Sequence, residues 1–180
     1  VERTILNFLQ HLSSISTTTF QFVSKLKHTN TKLLNTRKTT TGLRKLEKYA
    51  SVIGGAVNHR MGLYDDILVK DNHIKILGGI QETLKFINNN KITKYKIECE
   101  SFREVLFSIS KGAHYILLDN MKISEIKKCL ILKTKNIIFE ITGGITLDNI
   151  SKYSQLGADY ISTSKITNSP NSVDIGLDII

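Results

Sequence analysis

Lys32-Leu33-Leu34-Asn35-Thr36-Arg37-Lys38-Thr39-Thr40 carries a short apolar run into two cations set among small hydroxyls, just before Gly42. That composition suits a strand that ends in an anion site. His59-Arg60 and Lys70-Asp71-Asn72-His73 close two further short β-like segments in the same way. Three such ends share one mouth only if the strands lie parallel in one sheet or barrel, where the loops beyond their carboxyl ends gather on one side.

Outward from this stretch the chain alternates. Upstream, Ile5, Leu6, Leu9, Leu12 and Ile15 have helical spacing, and the Ser/Thr run from Ser13 to Thr19 predicts a polar break before a second helix ending near Lys27. Downstream, strands are expected at 32–35, 56–59, 66–70, 95–100, 115–119, 137–141 and 160–163. Helices are expected at 43–51, 80–89, 102–111, 123–134 and 147–156. This alternation predicts repeated βα units and a parallel sheet. The strand ends carry Asn35, His59, Lys70, Glu98, Glu100, Asp119, Thr142 and Ser164. Polar residues recurring at that position point to an active site beyond the strands. Thr142-Gly143-Gly144-Ile145-Thr146 adds phosphate-loop chemistry: glycines let backbone N–H groups approach a phosphate, and Thr146 is the expected helix N-cap.

The 180 residues suit one domain with a sizeable core. No apolar run approaches the roughly 18 residues of a membrane span. Residues 1–20 lack a continuous apolar signal core, so a cytoplasmic address is expected. Cys99 and Cys129 have no metal-ligand spacing and are expected to be buried thiols. A net charge of +9 favours an anionic partner. Nucleic acid is disfavoured, because no reading motif appears and acidic residues share the strand ends with the cations. The lysines of 122–135 read as a solvated helix face.

At these residues the chain resembles the quinolinate phosphoribosyltransferase family, also called nicotinate-nucleotide pyrophosphorylase (carboxylating). The resemblance lies in Asn-Thr-Arg-Lys-Thr-Thr at 35–40, Gly-Gly-Ala-Val-Asn-His-Arg-Met-Gly-Leu at 54–63 and Lys-Asp-Asn-His-Ile at 70–74. Leu-Leu-Asp-Asn-Met at 117–121, Thr-Gly-Gly-Ile-Thr at 142–146, Ala-Asp-Tyr-Ile-Ser at 158–162 and Asp-Ile-Gly-Leu-Asp at 174–178 extend it. It implies a TIM-like β/α barrel, complete or open, preceded by helices and spanning 1–180 as one domain. The family's smaller N-terminal α/β domain is expected to be absent. The implied reaction joins quinolinate and phosphoribosyl pyrophosphate into nicotinate mononucleotide, pyrophosphate and carbon dioxide, with Mg2+, in NAD biosynthesis.

The resemblance also implies roles. Arg37, Lys38, His59, Arg60 and Lys70 would bind the substrate carboxylates, and Arg3 would reach the neighbouring site of a homodimer or higher oligomer. Glu98, Asp119 and Lys70 would be catalytic, with Glu98 and Asp119 also able to hold the metal, and Glu100 secondary. Thr142, Gly143, Gly144, Ser164 and Asn168 would bind phosphate. Asn35, Lys96, Ser164 and Asn168 depart from the family pattern, which prefers an acid at the first two and glycine and histidine at the others. The alternative is a truncated, weakly active or inactive barrel serving as a dimerisation or partner-binding module.

Overall fold

Residues 1–178 are described by a computed structural model; the last two residues of the expected 1–180 domain lie outside them. Six short strands form one all-parallel sheet: β1 (Lys32–Leu34), β2 (Leu68–Val69), β3 (Lys96–Cys99), β4 (Tyr115–Asp119), β5 (Ile138–Thr142) and β6 (Tyr160–Ser162). Their spatial order is β1-β6-β5-β4-β3-β2. The helices are α1 (Glu2–Ser24), α2 (Arg44–Ile53), α3 (Asp71–Ile76), α4 (Ile80–Asn89), α5 (Phe102–Ser110), α6 (Ile123–Ile131), α7 (Ile150–Ser154) and α8 (Lys165–Asn168). The expected helices appear as α2, α4, α5, α6 and α7, and the short helices α3 and α8, which the alternation does not include, follow β2 and β6.

The two faces of the sheet differ in chemistry. Register places Ile97 beside Ile116 and Ile116 beside Phe139, and these residues pack with Cys99, Leu118, Ile141 and Ile161 beneath the helices. The alternate residues face the other way. Glu98 lies beside Leu117 and Leu117 beside Glu140, while Asp119 pairs with Thr142 at the carboxyl end. On that side only a small apolar cluster forms, from Leu68, Tyr115 and Leu117 with Ile138 and Tyr160. Parallel strands are usually apolar on both faces; here polar residues above an apolar floor mark a cavity.

Three expectations are corrected. α1 is one continuous helix through the Ser/Thr run, because the hydroxyls of Ser14 and Thr19 donate back to the carbonyls of Gln10 and Ile15, at 2.7 Å each. A Cβ on Gly54 would stand 2.5 Å from the Ser16 carbonyl oxygen, so the small residues form a close seam between α1 and α2. The strand expected at 56–59 shrinks to one parallel bridge, Val57 to Leu34 on the free edge of β1. Thr146 does not cap a helix; α7 starts at Ile150, and Asn149 Oδ1 accepts the Thr146 N–H at 2.9 Å.

The lysines of 122–135 are exposed, and both cysteines are buried. Among the described residues no helix is long and apolar enough to cross a membrane.

Candidate active site

The loop after β1 presents Arg37 and Lys38 because it is anchored from several sides. Arg44 of α2 donates Nε to Thr39 Oγ1 at 3.1 Å and its terminal nitrogens to the carbonyls of Arg37 and Met61. Buried Glu47 accepts the Thr40 N–H at 3.2 Å through one oxygen and lies 2.8 Å from His11 Nε2 through the other. Thr167 of α8 donates to the Lys38 carbonyl at 2.7 Å. These bonds hold the cations at the carboxyl ends of the strands.

Arg60 completes this wall, with one terminal nitrogen donating to the Asp66 carbonyl at 2.8 Å. Arg37 and Arg60 each keep a buried Nε with no acceptor. Burial, and then the charge of Arg37, hold the Arg60 pKa below its ordinary value. An anion on this wall would relieve both costs.

His59 is held by contacts on both sides of its ring. Its Nδ1 accepts the Arg60 N–H at 2.8 Å, so its proton sits on Nε2, 3.6 Å from Glu140 Oε2. Glu140 is fully buried and accepts from the Tyr115 hydroxyl at 2.8 Å. Burial pushes the Glu140 pKa up, but His59, Ser162 and Tyr115 outweigh it, and the net direction is down. The Glu140 carboxylate thus lies below the His59 ring and faces its Nε2. Its second oxygen, Oε1, is buried without a partner.

Opposite stands the acidic side. Lys70 Nζ lies 2.7 Å from Glu98 Oε1, with Glu98 nearly buried and Lys70 about half exposed. Asp119 and Glu100 line the same cavity, and Asp71 joins them from the start of α3. Lys96 sits lower on this face, 4.4 Å over the Tyr115 ring and 2.8 Å from Asp66, so it braces the floor.

Beyond β5, Gly143 and Gly144 both adopt positive φ, at 87° and 61°. A Cβ on Gly143 would fall 2.3 Å from Asn120 Oδ1, so this turn can press against Asn120 only as glycine. Thr163 Oγ1 ties the turn by donating to the Ile145 carbonyl at 2.9 Å.

The strand ends and the loops beyond them line a cavity of about 600 Å³. It brings together Arg37, Lys38, His59, Arg60 and Lys70 with Glu98, Asp119, Thr142, Gly143, Gly144 and Ser164. Asn168 does not reach the cavity wall: it ends α8 one turn past Ser164 and is exposed. Lys165 lines the wall in its place, unforeseen in the sequence. Arg3 is exposed on the first turn of α1, outside its own chain's cavity. Sequence reasoning also missed Glu140 and Lys48. Glu140 had a signal, a lone acid within Ile138-Phe139-Glu140-Ile141; Lys48 had none in a helix rich in charge.

Fold and site together define an α/β protein whose cavity, beyond the carboxyl ends of parallel strands, sets cations against carboxylates. More narrowly, the chain belongs to the quinolinate phosphoribosyltransferase family: the sequence profile described as "Quinolinate phosphoribosyl transferase, C-terminal domain" matches residues 15–178. It is 40% identical over 180 residues to a probable nicotinate-nucleotide pyrophosphorylase (carboxylating) of Bacillus subtilis (strain 168), covering 99% of this chain and 62% of that protein. The enzyme of the same name from Mycobacterium leprae (strain TN) is 35% identical, with 99% and 64% covered. The crystal structure of nicotinate-nucleotide pyrophosphorylase from Ehrlichia chaffeensis superposes with a TM-score of 0.92 at 43% identity, over 98% of this chain and 65% of that one. The chain thus spans less than two thirds of the length of these relatives.

Proposed function

We propose that the protein converts quinolinate and phosphoribosyl pyrophosphate to nicotinate mononucleotide, pyrophosphate and carbon dioxide, as its relatives' names suggest. One observation carries this reading: a cavity with Arg37, Lys38, Arg60 and Lys70 set against Glu98 and Asp119, with the Gly143-Gly144 turn beyond. A pyridine dicarboxylate needs several fixed cations, and arginine forks match carboxylates in a bidentate way. His59 would pack its oriented ring against the bound pyridine.

In the proposed reaction the ring nitrogen's lone pair forms the bond to ribose C1 while the C1–O bond breaks, its electrons leaving with pyrophosphate. Glu98 and Asp119 stabilise the oxocarbenium character that ribose acquires. Lys70, held between Glu98 and the cavity, can serve the carboxylate first and the leaving group later. The carboxylate beside the ring nitrogen then departs as carbon dioxide. Its bonding pair stays on the ring carbon, where the pyridinium stabilises it until a proton arrives. Thr142, Gly143, Gly144 and Ser164 would hold the 5′-phosphate. Positioning and electrostatics supply the catalysis, and the two thiols take no part, since burial pushes Cys99 up to about 12 and Cys129 up to about 11.

Mg2+ suits this donor set. The ion binds through one or two carboxylates plus substrate phosphates, keeping several waters, rather than in a protein cage. Among the described residues no three His, Cys, Asp or Glu side chains cluster as a cage, and Glu98 and Asp119 are the two carboxylates that would hold it. When bound it would neutralise charge on the pyrophosphate.

The sheet is proposed to close as a barrel, and Val57 on the outer edge of β1 supports this by starting the continuation toward β2. A homodimer in the cytoplasm, with Arg3 serving the neighbouring site, accords with Arg3 and the apolar Ile5, Phe8 and Leu9 being exposed on α1. The non-catalytic module is not favoured, since it gives no reason for cations and carboxylates to face each other across one cavity.

Calorimetry tests the pocket. Quinolinate binds the wild type, and Arg37→Ala or Lys70→Ala abolishes binding; unchanged affinity in both would remove the carboxylate site from this wall.

A further inference from the structure

Behind the cation wall lies a lysine that none of the proposed chemistry uses. Lys48 of α2 is 1% exposed, yet its ammonium donates to Asn35 Oδ1 at 2.6 Å and to the His59 carbonyl at 2.7 Å. Asn35 Oδ1 also accepts the His59 N–H at 3.0 Å, while its amide donates to Ser51 Oγ and Asn58 Oδ1. Three groups thus lock the end of β1 to the segment that carries His59 and Arg60. Both acceptors of Lys48 are neutral, and among the described residues no carboxylate pairs with it.

The surroundings add to the imbalance. Arg44 from its own helix, Arg37 from the loop after β1 and Lys96 from β3 disfavour its charge, and Asp65 favours it. Glu47 is turned toward His11 and Thr40, and the His59 ring toward Glu140. Burial first, and then these cations, lower the Lys48 pKa to about 8. A buried cation without a counter-charge is costly, and an anion seated on the adjoining wall would supply what is missing.

We propose that Lys48 is a positioning residue, clamping the Arg37-Lys38 and His59-Arg60 loops together through Asn35, and that its ammonium couples anion binding in the cavity to proton uptake. The coupling rests on the proposed quinolinate site. Because an anion favours charged Lys48, charged Lys48 must favour the anion by the same factor.

The test is calorimetry of quinolinate binding in buffers of unlike ionisation enthalpy. If the bound anion raises the Lys48 midpoint by about one pH unit, uptake is roughly 0.4 proton at pH 8 and near zero at pH 6.5. Affinity then falls about fivefold between pH 7 and pH 9. Lys48→Met removes the uptake and the pH dependence. Asn35→Asp supplies the missing carboxylate, keeps Lys48 charged across this range and abolishes the uptake while quinolinate still binds; it serves even if Lys48→Met fails to fold. A purely structural lysine would instead give Lys48→Met an affinity loss equal at every pH. Uptake that persists in both variants, or wild-type binding without uptake, would overturn the coupling alone. A wild type that binds no quinolinate would overturn the substrate reading and the coupling together.

Discussion

At the scale of single residues, the site is a set of unpaid electrostatic costs concentrated at one mouth. Arg37 and Arg60 keep donors without acceptors, and Lys48 holds a charge without a partner. The cations of 35–40 and 59–60 are legible in the sequence because they interrupt apolar runs. Their supports are not: Glu47, Lys48 and Arg44 share one charged helix, and nothing local marks Glu47 as the partner of His11 in α1 or Lys48 as the partner of Asn35 and the His59 carbonyl. Two predictions belong here. Glu98→Gln keeps the shape and removes the charge facing ribose, so steady-state kinetics should show kcat lowered by about 10²–10³ with a smaller change in the KM for quinolinate. Lys48 also leaves a mark on stability. The unfolded chain holds this proton up to the ordinary lysine value of 10.5, whereas the folded protein releases it at about 8. Folding therefore releases a proton from this group between those limits, and the Lys48 contribution to stability rises with pH across that window. Buried Cys99 and Cys129 titrate in the same window with the opposite sign, so the readout is a difference: the stability of wild type minus that of Lys48→Met, from urea unfolding, should rise between pH 8 and pH 10.5, and a flat difference would contradict it.

At the scale of elements, most strands and helices follow from apolar periodicity, and the errors have a common cause. Hydroxyl residues read as a break in α1 are instead a packing surface. Ser14 Oγ, which also bonds its own helix, accepts the Val173 N–H, and Thr18 Oγ1 accepts that of Asn171, tying the C-terminal segment across α1. Local propensity carries no information about such long-range partners. The same holds for the strand expected at 56–59, where Val57 alone bridges to β1. The seam makes Gly54, which caps the C-terminus of α2, the sensitive position there. Gly54→Ala forces a Cβ to within 2.5 Å of backbone, and thermal or urea unfolding should register a loss of about 1–3 kcal/mol. In the turn after β5, Gly143→Ala meets both a positive φ and Asn120, so the KM for phosphoribosyl pyrophosphate should rise while quinolinate affinity changes little.

At the scale of the whole molecule, parallel strand order turns separate sequence signals into one site. β1, β6, β5, β4, β3 and β2 lie side by side, so residues more than a hundred positions apart, such as Arg37 and Thr142, share a cavity. Alternation along each strand then sends isoleucines to the helices and acids to the cavity. The direction of the strands was legible from the βα pattern; the polar inner face was legible only in part, because Glu140 needs its neighbours' register to be recognised as a floor residue. In the proposed function this cavity drives ribosyl transfer and decarboxylation of quinolinate. The most direct measurement follows carbon dioxide released from quinolinate labelled at the carboxyl group beside the ring nitrogen, in the presence of phosphoribosyl pyrophosphate and Mg2+. Label release should equal the nicotinate mononucleotide formed, with none from Lys70→Ala. Wild-type protein that binds both substrates yet retains all the label in quinolinate would contradict it.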